Sequence, residues 1–98
     1  MRLIASFFIL ISALTYGQSE RAILYAQATE FGYRNQFKEA ENVLSKVITL
    51  FPKDSIAYFD RAIMRENLGD TIGAIADLTM EIEIDPNSAD NYFLRGIL

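Results

Sequence analysis

Histidine, cysteine and tryptophan are missing from the chain altogether, and proline appears only twice. Each absence excludes a class of function. Without histidine or cysteine there are no common zinc ligands, no thiol nucleophile and no imidazole to serve as the base of a serine nucleophile. Without cysteine there is also no disulfide and no residue to carry a lipoprotein's acyl chains. Cations are in deficit, with 9 Lys and Arg against 13 Asp and Glu and a net charge of −4. An acidic chain makes a poor partner for nucleic acid, whose phosphates demand a basic patch, and for an anionic membrane surface. A Gly-rich phosphate loop and an N-glycosylation sequon are also lacking.

The carboxylates that remain are densest at Asp77, Glu81, Glu83 and Asp85. Paired carboxylates can perform acid-base chemistry, but Asp77 and Glu81 stand four apart on a helical pattern, where solvated charge is the ordinary explanation. Asp85-x-Asn87 with Asp90 lacks the glycine and distal glutamate of a calcium loop, and reads as a turn and helix cap. No catalytic, metal-binding or cofactor-binding residue is assigned.

Long apolar runs are scarce too. Only Leu3 to Leu14 (LIASFFILISAL) is nearly continuous, broken by Ser6 and Ser12. It follows Arg2 and precedes Thr15-Tyr16-Gly17, the layout of a secretory signal peptide. Residues 1–17 are therefore expected to be removed after Gly17, leaving Gln18 as the N-terminus, with Ala13 to Thr15 as an alternative cleavage region. The run falls short of the roughly 20 residues a membrane span needs. A buried first helix and a retained anchor are the competing readings. The protein is thus expected to be exported, periplasmic or secreted, and membrane-anchored if uncleaved. Residues 18–98 then form one small domain.

What is present is a repeat. Laying Arg21–Asp54 over Ser55–Ser88 without a gap matches Ala28 with Ala62, Ala40 with Ala74, Leu44 with Leu78, Ile48 with Ile82, and Pro52 with Pro86. A third copy opens with Tyr92, Phe93, Arg95 and Ile97, 34 residues after Tyr58, Phe59, Arg61 and Ile63. A period of that size marks a stacked repeat array, here repeat 1 at 21–54, repeat 2 at 55–88 and part of repeat 3 at 89–98.

Apolar spacing within the copies is helical. The first helix is predicted over about 20–34, with Ile23, Leu24, Gln27, Ala28, Phe31 and, less regularly, Tyr25 and Tyr33 at helical spacing. It ends at Asn35-Gln36, because Asn tolerates the left-handed backbone that closes many helices. The second, about 37–50, sets Phe37, Ala40, Val43, Leu44, Val47, Ile48 and Leu50 against Lys38, Glu39, Glu41, Asn42 and Lys46. Pro52 stops it. Asp54 or Ser55 caps a third helix that runs to about Leu68 and stops at Gly69. Asp70 or Thr71 caps a fourth, about 72–84, expected to bury Ala74, Ile75, Leu78 and Ile82. A fifth opens near Ala89. The fold class is therefore all-α, five helices in a helix-turn-helix repeat array.

These residues resemble the tetratricopeptide repeat (TPR). In the second copy Tyr58 stands for the large aromatic, Ala62 for the small residue at the helix crossing, Ala74 and Leu78 for the A-x3-F element, and Pro86 for the terminal proline. Leu24, Ala28, Phe31, Ala40, Leu44 and Pro52 fill the same places in the first copy, and Tyr92 and Gly96 those in the third. Arg61 and Arg95 replace the usual leucine, Arg65 the tyrosine and Glu81 a small apolar residue. Glu81 is expected either to lie in water or to pair with Arg65 or Arg95.

The resemblance implies an α-solenoid and a non-catalytic role in protein-protein interaction. The first helices of the repeats would line a concave groove for a peptide or protein segment. Its residues would be Ala22, Tyr25, Thr29 and Tyr33, then Phe59, Ile63, Glu66 and Asn67, then Asp90, Phe93 and Ile97. Tyr25, Phe59 and Phe93 stand in register and either form an aromatic ladder in the groove or pack between helices. Groove places that would need lysine or asparagine to hold an acidic peptide terminus carry Tyr25, Thr29, Phe59 and Ile63 instead, so an apolar or aromatic-anchored segment is the expected ligand, with no small-molecule substrate. Phe93, Leu94, Ile97 and Leu98 have no following helix to cover them. Either the array continues in a longer gene product, as the docking or sensory front of an enzyme or signalling protein, or a homodimer completes it through the C-terminal helix. A membrane-tethered assembly factor is the reading if residues 3–14 are retained.

Overall fold

The computed structural model describes residues 19–87. The expected signal peptide (1–17), Gln18, Ser88 and the expected partial third repeat (89–98) with its fifth helix, including Phe93 and Arg95, lie outside the described residues. Within them the chain is all-α, with α1 over 19–33, α2 over Phe37–Leu50, α3 over Ser55–Asn67 and α4 over Thr71–Ile84. The connections are residues 34–36, 51–54 and 68–70, and links that short fold each helix back along its predecessor.

Local chemistry explains where the helices start and stop. Asp54 caps α3 by accepting from the Ala57 amide at 3.3 Å, and Asp70 caps α4 by accepting from the Gly73 amide at 2.9 Å. The α1 end closes at Asn35 (φ 59°), whose amide donates to the Gly32 carbonyl at 3.0 Å while the Gln36 amide donates to Phe31 at 2.9 Å. At the α3 end Gly69 (φ 81°) donates to Glu66 at 3.0 Å and Asp70 to Arg65 at 2.8 Å. Both are Schellman closures that place their left-handed residue on Gly or Asn.

These closures lie 34 residues apart, as do the bounds of α2 and α4. Phe51 and Asp85, the residues that end those two helices, also repeat, each with its amide 2.7 Å from the carbonyl four residues back. The period is thus a property of the backbone as well as of the sequence. Its matched residues share environments: Ala28 and Ala62, Ala40 and Ala74, and Leu44 and Leu78 are all buried. Ala28, Val43 and Leu44 form one core cluster, with Leu24, Tyr25, Phe31 and Met64 packed against it. Ala62, Ala74 and Leu78 form a second, covered by Phe59.

Between the clusters lies a charged network. Arg61 donates to both carboxylate oxygens of Asp77, Nε to Oδ2 at 2.9 Å and Nη2 to Oδ1 at 2.7 Å, and reaches Ser45 Oγ at 3.2 Å. Arg65 joins Asp77 at 3.0 Å to Glu41 at 3.1 Å, and Lys38 donates to the other Glu41 oxygen at 2.6 Å. The network links α2, α3 and α4. Asp77 is 2% exposed, which is tolerable because paired guanidinium groups compensate a carboxylate taken out of water.

The network corrects several sequence expectations. The fourth helix buries Ala74 and Leu78 as expected, but alongside them it buries Asp77 and Glu81, while Ile75 is exposed and Ile82 only half-buried. In α2, Glu41 is buried and Leu50 exposed. On α1, Ile23 faces outward. Glu81 does not lie in water: it is 3% exposed. Arg65 is engaged by Glu41 and Asp77. For Glu41 and Asp77 the physical reason is the same: Arg61 and Arg65 of α3 draw these carboxylates inward, and on α4 this brings Asp77 to the buried face in place of a purely apolar stripe.

Removing Asp77 would leave two guanidinium groups facing each other without their shared anion. Asp77→Ala should therefore destabilise the fold by about 3 kcal/mol, the low end for a broken buried pair because both arginines keep an edge in water; urea unfolding measures this. Glu41 supplies a pH signature. Its hydrogen bond from Lys38, acting against burial and aided by Arg65, holds its carboxyl below the ordinary value. Stabilisation from such a group is complete above the unfolded-state value and is lost as pH falls through the folded-state value. The melting temperature should drop on acidification below about pH 5, and drop less steeply in Glu41→Gln.

Candidate functional site

Residues two apart on a helix point to nearly opposite sides. Arg61 and Arg65 are turned toward α2 and α4, so Ile63 and Asn67 on α3 look the other way, toward α1. There they meet Thr29 and Tyr33. These four residues line one cavity of about 330 Å3, together with Ala28, Gly32, Phe37, Leu44, Asp60 and Met64. A volume near 300 Å3 is at the lower end for binding clefts. Three helices build this cavity. The clefts bounded by Glu20, Leu24 and Lys46, or by Ile23, Gln27 and Phe31, are each walled by one or two helices.

The floor is apolar and the rim polar. Ala28 and Leu44 are buried, Phe37, Ile63 and Met64 half-buried, and Thr29 and Asn67 exposed. Tyr33 is 84% exposed at the rim. Asn67 Nδ2 donates to the Ile63 carbonyl at 2.8 Å, which leaves its amide oxygen toward solvent. Gly32 keeps the floor open. A Cβ built there would sit 3.6 Å from Met64 Cε, an ordinary contact, so the missing side chain is space and not a strained backbone.

Of the residues the sequence nominated, Thr29, Tyr33, Ile63 and Asn67 are brought together. Tyr25 and Phe59 are not part of the cavity. Tyr25 packs on the cluster of Ala28, Val43 and Leu44, under the Arg21 guanidinium at 5.9 Å from its ring centroid. Its phenol is held above its ordinary value, by burial first and then by the neighbouring Asp54 carboxylate. Tyr25 Oη is buried and meets no hydrogen-bond partner of good geometry among the described residues. Phe59 covers the second cluster. In register they are two equivalent packing residues, the core alternative for the ladder, and Phe93 lies outside the described residues. Sequence reasoning missed Gly32, Asp60 and Met64. A glycine within a helical pattern was the available signal, since it weakens a helix and asks for a reason.

Among the described residues no group of three or more potential metal ligands gathers, and no helix is long and apolar enough to cross a membrane. No protein-family model matches the chain, and no curated protein matches it.

If Gly32 is kept for space and not for conformation, Gly32→Ala should be tolerated and should raise helix stability by up to about 1 kcal/mol through propensity. Thermal melting followed by circular dichroism tests this. A fall in melting temperature would mean that the added methyl group cannot be accommodated.

Proposed function

We propose that this chain is a tetratricopeptide-like, non-catalytic interaction module of an exported protein, and that it binds a peptide or protein segment in the groove between α1 and α3. The observation that carries the reading is the cavity itself: an apolar floor of Ala28, Leu44, Ile63 and Met64 under a rim of Thr29, Tyr33 and Asn67. An exposed tyrosine beside an apolar depression is the composition of a protein-binding hot spot. The 34-residue recurrence of α2 in α4 supports the repeat reading, and the layout of residues 1–17 supports export.

A random linear-peptide library selected on the purified chain, with binders resynthesised and measured by fluorescence anisotropy, tests the assignment. Two variants distinguish groove binding from attachment elsewhere. Gly32→Leu fills the floor, and Tyr33→Ala removes an exposed ring without disturbing the core. Each should weaken binding by about tenfold, the size of effect expected at a central contact, while the helical melting curve is retained. Binders whose affinity is the same in both variants would place the interaction elsewhere and sink the groove assignment.

A further inference from the structure

Two polar contacts join α3 to α2: Arg65 Nε donates to Glu41 Oε2 at 3.1 Å, and Arg61 Nη1 to Ser45 Oγ at 3.2 Å. The 34-residue recurrence carries the two halves of this interface to the outer helices. On α1 the counterparts of Arg61 and Arg65 are Gln27 and Phe31, and on α4 those of Glu41 and Ser45 are Ile75 and Thr79. The exchange is matched on the two sides. An ion pair becomes two apolar residues, and a guanidinium with a hydroxyl becomes an amide with a hydroxyl. Thr79 Oγ1 donates to the Ile75 carbonyl at 2.9 Å as Ser45 Oγ donates to that of Glu41 at 2.9 Å, so both hydroxyls keep an acceptor side for the neighbouring helix. Glu41 is 7% exposed, whereas Ile75 is 45% and Ile72 85% exposed. Gln27 and Thr79 are exposed as well, and Ile23, Gln27 and Phe31 wall an open cleft on α1.

We propose that copies of this chain stack end to end, with α1 of one copy on α4 of the next in the way that α3 packs on α2. Phe31 and Ile75 then meet in place of Arg65 and Glu41, and the Gln27 amide donates to the Thr79 hydroxyl in place of Arg61 on Ser45. Ile23 and Ile72 lie toward opposite ends of the contact. A second copy is the occupant because one molecule carries both halves of an interface that its fold already uses internally, and the changes on one half suit those on the other. Such a contact is heterologous: it joins different surfaces of the two partners, leaves one face open at each end, and adds further copies unless the rotation closes a ring. None of these six residues lines the cavity between α1 and α3, so stacking stands apart from the groove reading above.

Sedimentation equilibrium of the purified chain over a concentration series tests this, with circular dichroism to confirm the fold of each variant. The average mass should rise with concentration past that of a dimer. Ile23→Glu blocks the α1 face and Ile75→Glu the α4 face, each by setting a carboxylate against an apolar surface. Each should weaken self-association by about tenfold or more. Mixed in equal amounts, the two variants keep one intact interface between them and should form a heterodimer that grows no further. Should Ile75→Glu lose its fold, Ile72→Glu, at a residue 85% exposed, takes its place. A chain that stays monomeric throughout would overturn the proposal, and a lowered melting temperature of Ile75→Glu would then assign the α4 face to residues 88–98 of the same molecule. Association that stops at a dimer, or that only one substitution weakens, would overturn it in favour of one face meeting itself. Association that survives both substitutions would overturn it by placing the contact elsewhere.

Discussion

The shared carboxylate of Asp77 is the constraint on which the arrangement of the second helix pair depends. One anion accepts a bidentate contact from Arg61 and a third hydrogen bond from Arg65, and Arg65 carries the connection onward to Glu41. A bidentate guanidinium-carboxylate pair has directional geometry that packed aliphatic groups lack. It fixes how far α4 is rotated about its axis and which side of α3 faces α2. Such a network carries a desolvation cost, so its main effect is on orientation more than on net stability.

That orientation produces the groove. With Arg61 and Arg65 directed to α2 and α4, the opposite side of α3 presents Ile63 and Asn67 to α1, and Met64 reaches the cluster around Ala28. The small residues Ala28 and Ala62 allow paired helices to approach closely, while Gly32 leaves an opening at the α1 wall. The same interactions that organise the interior also turn Arg61 and Arg65 toward Asp77 and Glu41 and away from the cavity.

Alignment of the two copies reveals the exchange behind this. Positions held by Val43 and Val47 in the first pair are held by Asp77 and Glu81 in the second, and those of Gln27 and Phe31 by Arg61 and Arg65. All four of the α2 and α4 residues are buried. Phe31 packs on the cluster that contains Val43 in the first copy, and its counterpart Arg65 pairs with Asp77, the counterpart of Val43, in the second. Each substitution taken singly reads as a surface charge or a departure from a pattern. Only together do they make sense, because a buried carboxylate needs its cation.

The helices and their ends were legible in the residues. Pro52, Gly69, Asn35, Asp54 and Asp70 act through backbone preferences within a few positions of themselves, and those preferences hold whatever packs nearby. The spacing of small and apolar residues likewise indicated the all-α class, and Thr29, Tyr33, Ile63 and Asn67, singled out by their places in the repeat, line one cavity. The inward turn of Asp77, Glu41 and Glu81, the exposure of Ile75, and the separation of Tyr25 and Phe59 from the cavity were not legible. Helical periodicity ranks residues by polarity, and it treats every carboxylate as a group that belongs in water. Whether a charge is buried depends on what stands across from it on another helix, sixteen residues away for Arg61 and Asp77 and twenty-four for Arg65 and Glu41. Local chemistry in the sequence determined where the helices begin and end; the pairing of charges across helices, which exists only in the tertiary structure, decided which faces turn inward and what the groove presents.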